Sequence, residues 1–132
     1  MIKLTADDFF IGLFAALAST GLNYISIRDE RFDKSMAEVF NKLEKIAPEK
    51  GLDIRFRVRL HAFHNDSIAT RNAIYSAAQN GLISLDNPEY QDIRFRIRPG
   101  QADEILETIP GGKELFAKLA EEFLRQYNLV AA

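Results

Sequence analysis

The sequence predicts one α+β domain covering residues 1–132, a two-layer sandwich with a small mixed sheet of three to four strands and helices mainly on one face. Three observations predict it. The chain of 132 residues suffices for one buried core. Two segments, 53–59 and 92–98, alternate apolar residues with arginine, the period of a half-buried strand. Several other stretches repeat apolar residues at helical spacing.

Composition limits the classes of function. Hydrophobic residues make up 47% of the chain and charged residues 27%, which is ordinary for a globular protein. The formal net charge is −2, so the molecule as a whole is not a polycation attracted to nucleic acid or anionic membranes. The absence of cysteine excludes disulfides and thiolate chemistry and is compatible with a reducing cytosol.

The first predicted helix covers roughly residues 6–20. Thr5 followed by Asp8 resembles a capping box, and Gly21 provides a left-handed stop. The apolar run from Phe9 to Ala18 is too short to span a bilayer, which needs about 20 residues, and it lacks the preceding cations of a signal peptide. We therefore predict a central core helix in a cytoplasmic protein with no membrane contact; the alternative is a helix covered by another chain.

A first strand is predicted over 23–28 and a second helix over about 33–46, ended by Pro48 and Gly51. The second helix has one apolar stripe, consisting of Phe32, Met36, Val39, Phe40, Leu43 and Ile46.

The second half of the chain continues with strands and helices. After the first segment that alternates apolar residues with arginine (53–59), a third helix should begin at 65–67 and stop at Gly81. A short strand at 82–85 and a turn then lead into the second such segment (92–98). The short strand and this segment should form an antiparallel hairpin, because a short turn joins them. Helices at 102–108 and 113–127 complete the domain; the last has an apolar side formed by Leu115, Phe116, Leu119, Ala120, Phe123 and Leu124.

The two arginine strands, Asp53–Arg59 and Asp92–Arg98, are the most informative feature for function. They hold six of the ten arginines, all in the outward phase, whereas the phenylalanines of both strands point toward the helices. As antiparallel neighbours the strands would pair Arg57 with Arg94 and Arg55 with Arg96, and would place Asp53 opposite Arg98. We predict an open basic face with the binding residues Arg55, Arg57, Arg59, Arg94, Arg96 and Arg98. The competing interpretation is that these arginines are solvated or paired with some of the 19 acidic residues.

This face predicts a non-catalytic interaction or regulatory protein, such as an accessory subunit. It would dock an acidic protein partner, or a copy of itself as a homo-oligomer, through the arginine face or the apolar first helix. The alternative is a nucleic-acid-binding protein that uses the same six arginines together with Arg71. The inward phase of the phenylalanines argues against stacking of bases on the sheet.

A third hypothesis is a small enzyme. The two histidines of the chain, His61 and His64, lie close to Asp66 where a strand leads into a helix. Such residues could form a general acid–base pair, although Asp66 is also explained as a helix cap. A zinc site wants three or four ligands, so we predict no metal, and the sequence indicates no cofactor.

The stretch from Asp66 to Ile97 resembles one part of the winged-helix DNA-binding proteins. A helix that ends in Asn80-Gly81-Leu82-Ile83 is followed by a hairpin with basic residues, similar to a recognition helix and its wing. The resemblance covers about 30 residues and implies DNA binding by that helix and hairpin.

Overall fold

The computed structural model describes residues 2–21, 24–26, 30–54, 75–86 and 92–131. The elements within these ranges follow in the order β1 (Ile2–Leu4), α1 (Ala6–Ser19), β2 (Tyr24–Ser26), α2 (Glu30–Lys50), β3 (Leu52–Ile54), α3 (described over 75–79), β4 (Ile83–Asp86), β5 (Asp92–Phe95), α4 (Pro99–Thr108) and α5 (Gly112–Ala131). The chain is therefore α+β as predicted, but helices dominate it.

The described strands form two small sheets, so the single mixed sheet predicted from the sequence is wrong. One sheet is antiparallel and has the order β2–β5–β4; the other is the parallel pair β1–β3. The reason is that a strand has only two hydrogen-bonding edges. Those of β5 are taken by β2 and β4, and β3 pairs instead with β1, a strand that the sequence did not predict.

Helix α1 is the central element of the core, as predicted. It begins where the Thr5 hydroxyl accepts a hydrogen bond from the backbone N–H of Asp8 at 3.2 Å, and it ends before Gly21, whose φ is +91°. Its apolar side chains are buried within the same chain, and α4 and α5 pack against it. These buried residues are Phe9, Phe10, Leu13, Phe14, Ala15, Ala16 and Leu17.

Close packing of α1 on α5 depends on Gly12. A Cβ atom at Gly12 would lie 2.6 Å from a ring carbon of Phe116, and Phe116 itself is fully buried. Real side chains do not approach so closely, so this helix crossing requires a glycine, which has no side chain, at position 12.

Helix α2 extends further than the sequence predicted. Pro48 lies inside its last turn, and the chain leaves the helix only at Gly51, where φ is +67°. Of the two predicted stops, Gly51 is confirmed and Pro48 is wrong. Proline removes one N–H donor and crowds the carbonyl four residues earlier, and α2 tolerates this because only two helical residues follow Pro48. The predicted stripe is confirmed for the residues whose burial is described, since α2 buries Met36, Val39, Phe40 and Leu43, and Ile46 is half-buried.

The connection from α3 to β4 is a Schellman motif. The N–H of Leu82 donates to the carbonyl of Ala77, the N–H of Gly81 donates to that of Ala78, and Gly81 has a φ of +75°. Helix α4 begins at Pro99, three residues earlier than predicted, because proline suits the first position of a helix. The helix stop at Gly81 precedes the hairpin of β4 and β5, and the helix start at Pro99 follows it.

Candidate binding site

Side chains alternate strictly from Arg94 to Arg98, that is, at the end of β5 and in the three residues that follow it. Arg94, Arg96 and Arg98 are exposed, whereas Phe95 and Ile97 are half-buried and pack against the core. The ring of Phe95 lies 5.9 Å from that of Phe14 in α1, measured between centroids. The apolar phase thus holds the segment against the central helix, and the same alternation turns the three guanidinium groups outward. This confirms the predicted phase of the second arginine strand.

We call the outward surface carried by Arg94, Arg96, Arg98 and Ser84 the arginine face. Ser84 of β4 and Arg94 of β5 are directly opposite in the antiparallel register. Arg96 continues the pairing beyond the strand, because its backbone N–H donates to the carbonyl of Leu82 at 2.8 Å. The hairpin therefore fixes the backbone at Arg94 and Arg96, and Arg98 is the residue that immediately precedes α4.

The guanidinium group of Arg96 is held in place. Nε of Arg96 donates a hydrogen bond to the hydroxyl oxygen of Ser84 at 3.1 Å, diagonally across the two strands. Of the five N–H donors of the group, one is used in this bond, and the others belong to the two terminal nitrogens. Arginine remains charged at neutral pH and suits planar, two-oxygen anions such as carboxylates. The face is therefore equipped to bind anions and not to transfer protons.

Within the described residues, the expected pairing between the two arginine strands is not formed. The residues opposite Arg94 are Tyr24 on one side and Ser84 on the other, which leaves no edge for Arg57. Asp53 lies opposite Lys3 of β1 and not opposite Arg98. The predicted register was wrong because it assumed that look-alike strands are neighbours, whereas sheet partners are chosen by the whole fold.

Seven of the residues singled out in the sequence lie outside the described residues. The predictions made for them, as binding residues or as members of a histidine site, stay predictions. They are Arg55, Arg57, Arg59, His61, His64, Asp66 and Arg71.

A second feature, which the sequence analysis missed, is a polar groove of about 460 Å³ between α2 and α5. Its lining residues are Glu38, Asn41, Lys42, Lys45, Glu121, Glu122 and Arg125. Three carboxylates and three cations share this lining, so the groove has no net charge with which to select an anion or a cation. The i,i+3 spacing of Glu122 and Arg125 is a visible signal in the sequence, but the groove depends on how the two helices pack.

Glu122 is the buried ionic group of this groove, with only 8% of its surface exposed. Arg125 clamps it through two hydrogen bonds, Nε to Oε2 and Nη2 to Oε1, both 2.8 Å long. Burial raises the pKa of Glu122, but the hydrogen bonds and charge of Arg125, helped by Gln126 and Lys42, outweigh burial and hold the pKa below the usual value. A buried carboxylate with a satisfied partner of this kind is a structural ion pair, so we place the candidate site on the arginine face.

Within the described ranges, no group of three or more histidine, aspartate or glutamate side chains is arranged to hold a metal ion. The helices in the same part of the chain include none that is long and apolar enough to cross a membrane. Comparison with known protein families, with curated proteins and with solved structures finds no match.

Proposed function

We propose that this protein is a non-catalytic interaction module, an accessory or regulatory subunit, that docks an acidic segment of a partner protein through the arginine face. The observation that carries the proposal is the exposure of three guanidinium groups in one phase of a segment whose other phase is anchored in the core. Complementary charge gives such an interface its rate of association and its choice of partner.

The strength of the interaction follows from the exposure of the site. An exposed ion pair contributes about 0–1 kcal/mol, so three of them supply at most a few kcal/mol. The proposed docking is accordingly weak and reversible unless other surfaces join it, as suits a regulatory contact. It should also weaken as salt is added, because exposed charges are screened within about 10 Å at 0.1 M ionic strength.

Two routes of docking considered from the sequence have less support. The apolar side of α1 is buried against α4 and α5 of its own chain, so it is not available to a partner. A second copy of the chain would have to bring its own acidic residues, such as the exposed Asp103 and Glu104 of α4, to the arginine face. Asp103 already pairs with Lys113 of its own chain at 3.6 Å. We therefore favour a different protein as the partner.

Nucleic-acid binding is the second candidate function. One observation favours it: the end of α3, the stop at Gly81 and the hairpin of β4 and β5 follow in the order expected from the winged-helix resemblance. The predicted recognition helix lies mostly outside the described residues. The net charge of −2 counts against this candidate, since nucleic-acid-binding domains are commonly basic.

The test compares acidic peptide with nucleic acid on matched variants. Fluorescence anisotropy would follow a labelled polyglutamate peptide, and separately a single-stranded and a double-stranded DNA, binding to the wild-type chain. Arg96→Glu with Arg98→Glu reverses two charges on the arginine face, and Lys50→Glu with Lys118→Glu makes the same charge change at exposed lysines on α2 and α5.

The proposal expects peptide binding that the arginine variant loses and the lysine variant keeps. Equal loss in both variants would reduce the interaction to net charge and contradict docking at the arginine face. Binding of DNA but not of peptide, lost in the same variant, would replace the proposal with the second candidate.

A further inference from the structure

We infer that the arginine face recognises an extended acidic segment with carboxylates at alternate positions, and that Ser84 is the positioning residue that orients Arg96 for it. This inference rests on the proposed docking function and specifies both the shape of the partner segment and a residue on which recognition depends.

The spacing of the arginines is the evidence for a segment with carboxylates at alternate positions. Arg94, Arg96 and Arg98 are separated by two residues each, which in extended backbone is about 6.7 Å. An extended peptide has the same repeat, so acidic side chains at every second position would face all three arginines at once. A run of consecutive acids in the same conformation sends every other carboxylate to the far side.

The hydrogen bond between Arg96 and Ser84 is the evidence that Ser84 orients Arg96. Because Nε is engaged by the serine hydroxyl, the guanidinium group meets a ligand end-on, through its two terminal nitrogens. Those nitrogens can donate two parallel hydrogen bonds to the two oxygens of one carboxylate. A long exposed side chain normally loses rotamer freedom on binding, and the serine removes part of that loss in advance.

The position of Ser84 in the sheet makes the arrangement local and rigid. Its Cα is opposite that of Arg94, and its hydroxyl accepts a hydrogen bond from Arg96, which directly follows β5. Ser84 is therefore a neighbour of two of the three arginines of the face. Changing it should alter ligand binding without disturbing the apolar phase of the hairpin, in which Ile83 and Phe95 pair.

The experiment uses two peptides and an isosteric pair of variants. One peptide alternates glutamate with threonine, and the other has the same length and composition but keeps its glutamates consecutive. Ser84→Thr retains a hydroxyl group, whereas Ser84→Val replaces it with a methyl group of the same shape; both are β-branched and suit a strand. Dissociation constants are measured by anisotropy, and circular dichroism with thermal melting confirms that each variant folds.

The expected result is about two- to fivefold tighter binding of the alternating peptide to the wild-type chain, the effect of about one additional exposed ion pair. Ser84→Thr should keep this affinity, and Ser84→Val should weaken it about three- to tenfold, the effect of one hydrogen bond. Equal affinity for the two peptides would overturn the inference that the arginine face recognises carboxylates at alternate positions. Equal affinity of the threonine and valine variants would overturn the positioning role.

The failure of this inference can be told apart from the failure of docking itself. If both peptides bind equally and Arg96→Glu with Arg98→Glu abolishes both, docking stands and the extended, alternating geometry is wrong. If neither peptide binds the wild-type chain, or if the arginine variant binds as the wild type does, the docking proposal is wrong as well.

Discussion

The substitution Gly12→Ala tests the packing of the central helix. An alanine at this position would place Cβ within 3.0 Å of three ring carbons of Phe116, and both helices are fixed in the core around that contact. Overpacking of a core costs about 1–3 kcal/mol, and a ring that is fully buried has little room to move, so we take about 2–3 kcal/mol. Alanine recovers about 1 kcal/mol through its better helix propensity. The net expectation is a free energy of unfolding lowered by about 1–2 kcal/mol.

Gly100 provides the matched control. It is also helical, at the start of α4, but a Cβ atom there would meet nothing within 4 Å and its φ is not in the left-handed region. Gly100→Ala should therefore raise the free energy of unfolding by about 0.4–1 kcal/mol. The two substitutions are chemically identical, so their opposite signs isolate the contact.

The assay is equilibrium unfolding in guanidinium chloride followed by circular dichroism, a transition that small domains usually complete in two states. The mechanism is checked in the Phe116→Leu background, where the smaller side chain leaves room and Gly12→Ala should become stabilising by about 1 kcal/mol. If Gly12→Ala stabilises the wild-type chain as Gly100→Ala does, α1 and α5 do not cross at Gly12 and the described core is incorrect.

Three further predictions concern local features of the chain. Thr5→Ala should lower the free energy of unfolding by about 0.5–2 kcal/mol because the cap of Asp8 N–H is lost, and Thr5→Ser should restore it, both measured by chemical unfolding. Gly81→Ala should cost about 1–2 kcal/mol because its φ of +75° disfavours a Cβ atom, and Gly81→Asn should cost less; thermal melts that rank alanine equal to asparagine would contradict this. The pKa of Glu122 is lower in the folded chain than in the unfolded chain. The stabilisation that the ionised Glu122 gives the fold is therefore fully present above the unfolded pKa of about 4.3, and it is lost as the pH falls through the pKa of the folded chain. Glu122→Gln should thus be less stable than wild type at pH 7, by about 1–2 kcal/mol, and the difference should shrink in unfolding curves recorded toward pH 3.

The helices could be predicted from sequence because their signals are local. The apolar stripes of α2 and α5, the cap at Thr5 and the stops at Gly21 and Gly81 each depend on residues within a few positions of one another. The ends were less accurate where local signals disagreed. The end of the apolar stripe and Pro48 suggested an earlier stop of α2, whereas Gly51 marks the stop that the structure has.

Strand pairing could not be predicted in the same way, because partners lie far apart in sequence. The three residues of β1 are too few to show an alternation, and only their pairing with β3 reveals them as a strand. The twin arginine segments look like neighbours, yet the described part of the first pairs with β1 and the second is enclosed by β2 and β4. Similar sequence indicates similar conformation and not proximity.

The candidate site was predictable to the extent that it depends on alternation. The exposed phase of Arg94, Arg96 and Arg98 follows from period two alone, and the structure confirms it. The bond from Arg96 to Ser84 and the burial of Glu122 were not predictable, because each requires knowledge of which element packs beside which.

Amide chemical shifts report directly whether an acidic segment docks on the arginine face. A ¹⁵N-labelled wild-type chain would be titrated with the alternating glutamate–threonine peptide at low salt and its backbone resonances followed by NMR. We expect the largest saturable shifts at Ser84, Arg94, Arg96 and Arg98, and we expect them to vanish in the Arg96→Glu, Arg98→Glu variant. Shifts concentrated instead at Lys42, Lys45 and Arg125, in the groove between α2 and α5, would contradict it.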